Sequence, residues 1–147
     1  MTLKVRYQKL DSRAVEPAYG SASAAGADLY AVLDAPLTLE AGQTALVHTG
    51  LAVEIPDGFV GLVCARSGLA TKRGLAPANK VGVVDSDYRG EVMVALHNHG
   101  SEPQTIEQGE RIAQLVLVPY LAAAYEQADS LTDTDRGAGG FGSTGAK

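Results

Sequence analysis

At 147 residues the chain is long enough to bury one core and too short for two domains of ordinary size. A net charge of −5, with two Phe, six Tyr and no Trp, excludes the basic, aromatic surface that a nucleic-acid polymer requires. One cysteine, Cys64 in an apolar run, excludes a disulfide framework within the chain and reads as a buried reduced thiol. No run approaches the length of a membrane span, and residues 1–10 lack a signal-type apolar core. The expectation is a cytoplasmic protein with no membrane partner.

Short apolar runs recur in chain order at residues 3–7, 27–32, 37–39, 44–47, 51–55, 60–64, 81–84, 92–96 and 112–118. Pro and Gly punctuate them, as in Glu40-Ala41-Gly42, Ile55-Pro56-Asp57-Gly58 and Glu107-Gln108-Gly109, which predicts an all-β sandwich or barrel. Helical character is confined to residues 67–73 and an alanine-rich stretch at 121–128. The β domain is expected over residues 1–128. Beyond it, residues 129–147 turn to Asp, Ser, Thr and Gly, from which no core can be built. Phe141, alone among glycines, follows Arg136 and precedes Ser143 and Thr144. A stacking ring, hydroxyls and a charge thus share one Gly-rich arm, the equipment of a lid for a planar phosphorylated ligand.

Several segments carry groups suited to chemistry. Asp28, in Ala25-Gly26-Ala27-Asp28-Leu29-Tyr30, places a charge inside a strand-like run, where it either faces solvent or needs a partner or metal-bound water. Arg66-Ser67-Gly68 follows a β-run and opens a short helix, so it reads as a phosphate-binding turn or as a plain junction capped by Ser67. In residues 79–94 an Asp85-Ser86-Asp87-Tyr88-Arg89-Gly90 turn joins two β-branched runs and reads as a hairpin with an acidic tip and an aromatic ring. His97 and His99 share a strand face, but no third ligand lies nearby, and no zinc is assigned. His48 has no identifiable partner. The terminal glycines fail as a Walker loop because no hydroxyl residue follows Lys147 and no helix can begin there. Arg111 and Gln114, heading the last β-run, are either rim decoration or ligand contacts.

Taken together, Ala25-Gly26-Ala27-Asp28-Leu29, Arg66-Ser67-Gly68-Leu69-Ala70, Gly82-Val83-Val84-Asp85-Ser86-Asp87-Tyr88-Arg89-Gly90, Gly109-Glu110-Arg111-Ile112-Ala113-Gln114 and the segment 136–145 resemble the five motifs of the homotrimeric dUTP pyrophosphatases. The resemblance spans nearly the whole chain. It implies a distorted, jelly-roll-like β-sandwich subunit with one short helix, assembled as a homotrimer whose sites lie at subunit boundaries, each closed by a C-terminal arm from another copy. It also implies hydrolysis of dUTP to dUMP and pyrophosphate, which keeps uracil out of DNA and supplies dUMP for thymidylate synthesis.

The same resemblance implies the residue roles. Asp85 activates the attacking water. Asn79, Val83 and Val84 recognise the uracil edge, Tyr88 packs beneath the deoxyribose, and Met93 walls the pocket. Arg66, Ser67, Gly68 and Gln114 bind phosphate oxygens. Asp28 contacts Mg²⁺ through a water, and from the arm Phe141 stacks on the base, Gly142 takes part in substrate binding, and Arg136, Ser143 and Thr144 grip the outer phosphates. Ala65 departs from the Pro that is common in the family, which leaves the phosphate turn less rigid. The related dCTP deaminases share the fold and require a carboxylate near the base, so Glu91 leaves deamination open on spacing alone. A binding module on this fold without turnover is the other alternative.

Overall fold

A computed structural model describes residues 3–141. Among them the chain forms eleven strands and one helix: β1 (Arg6–Lys9), β2 (Ala18–Tyr19), β3 (Gly26–Tyr30), β4 (Leu37–Leu39), β5 (Thr44–Glu54), β6 (Phe59–Cys64), α1 (Ser67–Arg73), β7 (Leu75–Pro77), β8 (Gly82–Val84), β9 (Glu91–Asn98), β10 (Gln104–Ile106) and β11 (Arg111–Pro119). Every strand pairing is antiparallel. The strands divide into a sheet ordered β1-β5-β9-β7, a sheet ordered β2-β3-β11-β6-β8, and the pair β10-β4. The expected all-β, jelly-roll-like class holds, with open sheets and one short helix.

Alternation of side chains builds the core. In β9, Val92, Val94, Leu96 and Asn98 are buried while Glu91, Met93, Ala95 and His97 sit on the other face. The inward residues meet Leu29, Val63 and Leu115 of the larger sheet and Leu39 and Ile106 of the small pair. Asn98 is wholly buried but satisfied: its amide donates to the carbonyls of Leu39 and Glu102 at 2.9 and 2.8 Å, and its oxygen accepts from the Gly100 amide.

Three expectations are corrected. The acidic turn is not a hairpin, because β8 pairs with β6 while β9 pairs with β5 and β7. It is a crossing from one sheet to the other. The runs at 44–47 and 51–55 are one strand, interrupted where Gly50 takes a φ of +65° at a bulge. Residues 121–128 form no helix; Leu121 and Tyr125 are almost fully exposed, and about eight residues without packing cannot repay helix nucleation. The helix at 67–73 is found, closed by Gly74 in the left-handed conformation whose amide reaches the Ala70 carbonyl.

Candidate active site

The inter-sheet crossing opens a cleft of about 300 Å³, and Asn79, Val83, Val84, Asp85, Tyr88 and Met93 all line it. These are the six residues of the third motif and its flanks that the sequence singled out. On the β9 side Met93 and Ala95 come from the outward face, and Leu46 of β5 stands beside them, 57% exposed. Leu46, Pro77 and Ala95 were not foreseen, since each looks like ordinary strand filling until the two sheets are brought together.

Backbone conformation shapes the mouth. The Val81 amide donates to the Asn79 carbonyl at 2.8 Å around Lys80, which holds a φ of +67°. A three-residue turn of this hand is rare and strained for a side chain other than glycine. It delivers Asn79 to the rim, where its amide lies against Gly82; a Cβ at Gly82 would stand 3.3 Å from that nitrogen and 3.2 Å from Val63. Val83 is 64% exposed into the cleft, and Val84 is buried beneath it.

The Asp85–Gly90 segment is a turn in which the Tyr88 amide reaches the Asp85 carbonyl at 3.2 Å. The Tyr88 hydroxyl donates to the Glu91 carbonyl at 2.8 Å, and its ring lies so close to Gly90 that any Cβ there would collide with it. Arg89 ties the turn by donating to the Ser86 and Tyr88 carbonyls. Asp85 stands exposed at the cleft. Glu91 lines the cleft, yet both its oxygens are engaged: one accepts from the Gly50 amide at 2.8 Å, the other meets Nδ1 of His48 at 2.9 Å. His48 therefore does have a partner, one that sequence distance concealed.

A second group forms on the larger sheet. Asp28, Gln114 and Cys64 lie in register across β3, β11 and β6. The Asp28 side chain is only 13% exposed and is bridged by Arg66 Nε at 2.7 Å and Arg111 at 3.2 Å. Of the two readings left open for it, partnered burial is the one observed. Gln114 donates to the Ala65 carbonyl at 2.8 Å, holding the residue before the Arg66-Ser67-Gly68 turn. Its side chain occupies the space beside Gly26 that a Cβ would fill. Arg66 is the N-cap of α1 and makes no side-chain cap bond, and no acidic residue lies in the first turn; Ser67 is the first helical residue and not the cap. Cys64 is a free, half-buried thiol.

The two groups are well separated in one copy. The β6–β8 register sets Val84 opposite Gly61, so Asp85 lies four residues along β6 from the level of Cys64 and Asp28, about 13 Å away. Three strand spacings across the sheet add about 14 Å, which puts Asp28 and Asp85 roughly 20 Å apart.

After β11, residues 120–141 form neither strand nor helix. Arg136 folds onto its own turn, donating to the Gly139 carbonyl at 2.7 Å, and Phe141 is fully exposed with a φ of +50°. Gly142, Ser143 and Thr144, expected in the arm's contacts, lie outside the described residues.

Comparison with known proteins places this arrangement. The dUTPase family model matches residues 12–145. The deoxyuridine 5'-triphosphate nucleotidohydrolase of Desulfitobacterium hafniense is 53% identical over 144 residues, covering 97% of this chain and 95% of that protein. The enzyme of the same name from Acinetobacter baylyi is 47% identical, covering 99% and 100%. Among solved structures, the dUTPase of Staphylococcus bacteriophage 80alpha with dUPNHPP superimposes with a TM-score of 0.88 at 29% identity, over 98% of this chain and 99% of that one. With a family model spanning the cleft, the Asp28 group and the arm, and relatives of this identity over its whole length, the chain belongs to the dUTPase family and is a dUTP-hydrolysing enzyme.

Proposed function

We propose that the enzyme cleaves dUTP between the α- and β-phosphorus, releasing dUMP and pyrophosphate, with Asp85 as the base that takes a proton from the attacking water. The observation that carries this reading is the convergence of Asn79, Val83, Val84, Asp85, Tyr88 and Met93 on one cleft. The mouth offers main-chain groups of β8 and the Asn79 amide to the uracil edge. A cytosine there would leave a buried donor or acceptor unpaired, at a cost of about 1–3 kcal/mol. Tyr88, pinned through its hydroxyl and against Gly90, lies beneath the deoxyribose and leaves no space for a 2′-hydroxyl. The exposed Asp85 carboxylate at the cleft can accept the proton as water attacks in line and pyrophosphate departs.

Arg66, Ser67, Gly68 and Gln114 bind phosphate oxygens in this reading, with α1 presenting uncapped amides beside them. In this reading the Asp28 carboxylate, part-buried and bridged by Arg66 and Arg111, keeps lone pairs beyond those two bonds, enough to accept from a water of a hard divalent ion that retains its hydration. Asp28 would hold Mg²⁺ through such a water, and the ion would neutralise charge on the triphosphate.

A separation of roughly 20 Å between Asp28 and Asp85 is too long for both to serve one α-phosphate within a copy. This supports sites assembled in a homotrimer, the cleft of one copy facing the Asp28 group of another. Residues 129–147 are then the arm: Phe141 and Gly142 cover the uracil, and Arg136, Ser143 and Thr144 hold the outer phosphates while water is excluded. Deamination is disfavoured because the Glu91 carboxylate is held by Gly50 and His48.

The test is product analysis with Mg²⁺ and dUTP, dCTP, dTTP or UTP. dUMP and pyrophosphate from dUTP alone are expected. Conversion of dCTP to a uracil nucleotide, or binding of dUTP with no turnover, would overturn the reading.

A further inference from the structure

Between His48 and Ala52 the β5–β9 ladder carries a bulge: Thr49, Gly50 and Leu51 stand opposite Val92 alone. Such a bulge leaves strand amides without ladder partners, and side chains close it. The Gly50 amide is taken by Glu91 Oε1 at 2.8 Å, Glu91 Oε2 meets His48 Nδ1 at 2.9 Å, and the Thr49 hydroxyl donates to the Val92 carbonyl. Gly50 cannot be replaced without strain. Its φ is +65°, and a Cβ would meet Ala14 and Asp11 at 3.0 Å. The bulge is therefore a built feature, locked by one carboxylate.

The lock adjoins the cleft at Tyr88 and Met93. Glu91 is the residue whose carbonyl accepts the Tyr88 hydroxyl, and His48 is paired directly with Met93. Fixing the Glu91 side chain to β5 fixes the carbonyl on which Tyr88 hangs, and fixing His48 fixes the strand opposite the cleft wall. We infer that Glu91 and His48 are positioning residues that hold Tyr88 and Met93 and so set the discrimination between deoxyribose and ribose, acting from the β5 bulge without touching substrate. This rests on the reading of Tyr88 as the residue beneath the sugar.

The experiment compares kcat/KM for dUTP and for UTP in the full-length enzyme. Glu91→Ala should lower the dUTP preference about tenfold, mostly through KM for dUTP, as expected when an anchor and not a reacting group is lost. Glu91→Gln, which keeps an acceptor for Gly50 and can donate to His48, should restore the preference to within about twofold of wild type. His48→Ala, at a side chain 58% exposed and so tolerant of truncation, should lower it about threefold and carries the test if Glu91→Ala does not fold. Equal loss of activity on both nucleotides, with the preference unchanged, would mean that the lock only stabilises the fold and would overturn the inference. Tyr88→Ala is the control. If it abolishes the preference while the Glu91 and His48 variants keep it, the positioning role fails; if it too leaves the preference unchanged, the sugar role of Tyr88 itself is wrong and the inference goes with it.

Discussion

Around the cleft, shape is held by backbone: a strained turn at Lys80, Gly82 and Gly90 cleared of side chains, and a tyrosine hung from a main-chain carbonyl. Around Asp28, shape is held by charge, with Arg66 and Arg111 converging on one carboxylate from distant parts of the chain. The difference matches what each region would handle under the proposed function. A planar base edge is read by fixed donors and acceptors, which need rigid geometry. Phosphates and a hydrated cation are read by charge, which tolerates small displacements because it falls off slowly with distance.

The largest expected effect comes from the cleft. Asp85→Ala should reduce kcat by about 10³-fold with an unchanged melting temperature, since the removed carboxylate is exposed and the turn is held through the residue's main chain. Pyrophosphate release and a thermal melt on the same sample check both parts. Next, truncation before Arg136 should cost about 10²-fold in kcat/KM and leave the body folded, because no strand or helix of the described structure lies in that segment. Normal turnover by the truncated enzyme would sink the arm's role. In the Asp28 group, Arg66→Ala should destabilise by about 1–3 kcal/mol in urea unfolding, by leaving a carboxylate only 13% exposed with a single, longer ion pair. Arg111→Ala should cost less, because its bond is longer and its side chain is half exposed. Equal costs would show that the cluster is a surface network and not a partly buried one.

The smallest effect comes from an ion pair that borders the β5 bulge but lines neither the cleft nor the Asp28 group. Hydrogen bonds from Arg13 hold the Asp11 carboxyl down at about 2, below its ordinary 3.8. Because the folded value is depressed, its contribution is fully present above pH 3.8 and is lost as pH falls toward 2. The Asp11 side chain is still 31% exposed and its partner Arg13 more so, so solvent screening keeps the change small. Arg13→Ala should flatten the acid limb of a stability–pH curve over that window without altering activity at neutral pH.

Much of this was legible in the residues. The runs at 37–39, 60–64, 92–96 and 112–118 became strands within a residue or two, and the helix at 67–73 took those bounds. The strands β2 (Ala18-Tyr19), β7 (Leu75-Ala76-Pro77) and β10 (Gln104-Thr105-Ile106) were missed because, unlike Leu37-Thr38-Leu39, none sets two large apolar residues in alternation. In the site, the segment 79–93 was legible because its chemistry is contiguous in sequence. Arg111 remained ambiguous and His48 seemed unpartnered because their partners lie 83 and 43 residues away.

By itself, the sequence determined which residues carry chemistry and which runs are extended, since both follow from local composition and side-chain alternation. Only the tertiary structure decided that the acidic turn crosses between sheets, that Asp28 is bridged by two arginines, and that Glu91 is occupied by the β5 bulge. Those outcomes depend on which strands pair, and pairing is chosen by burial of the whole core, which no local pattern contains.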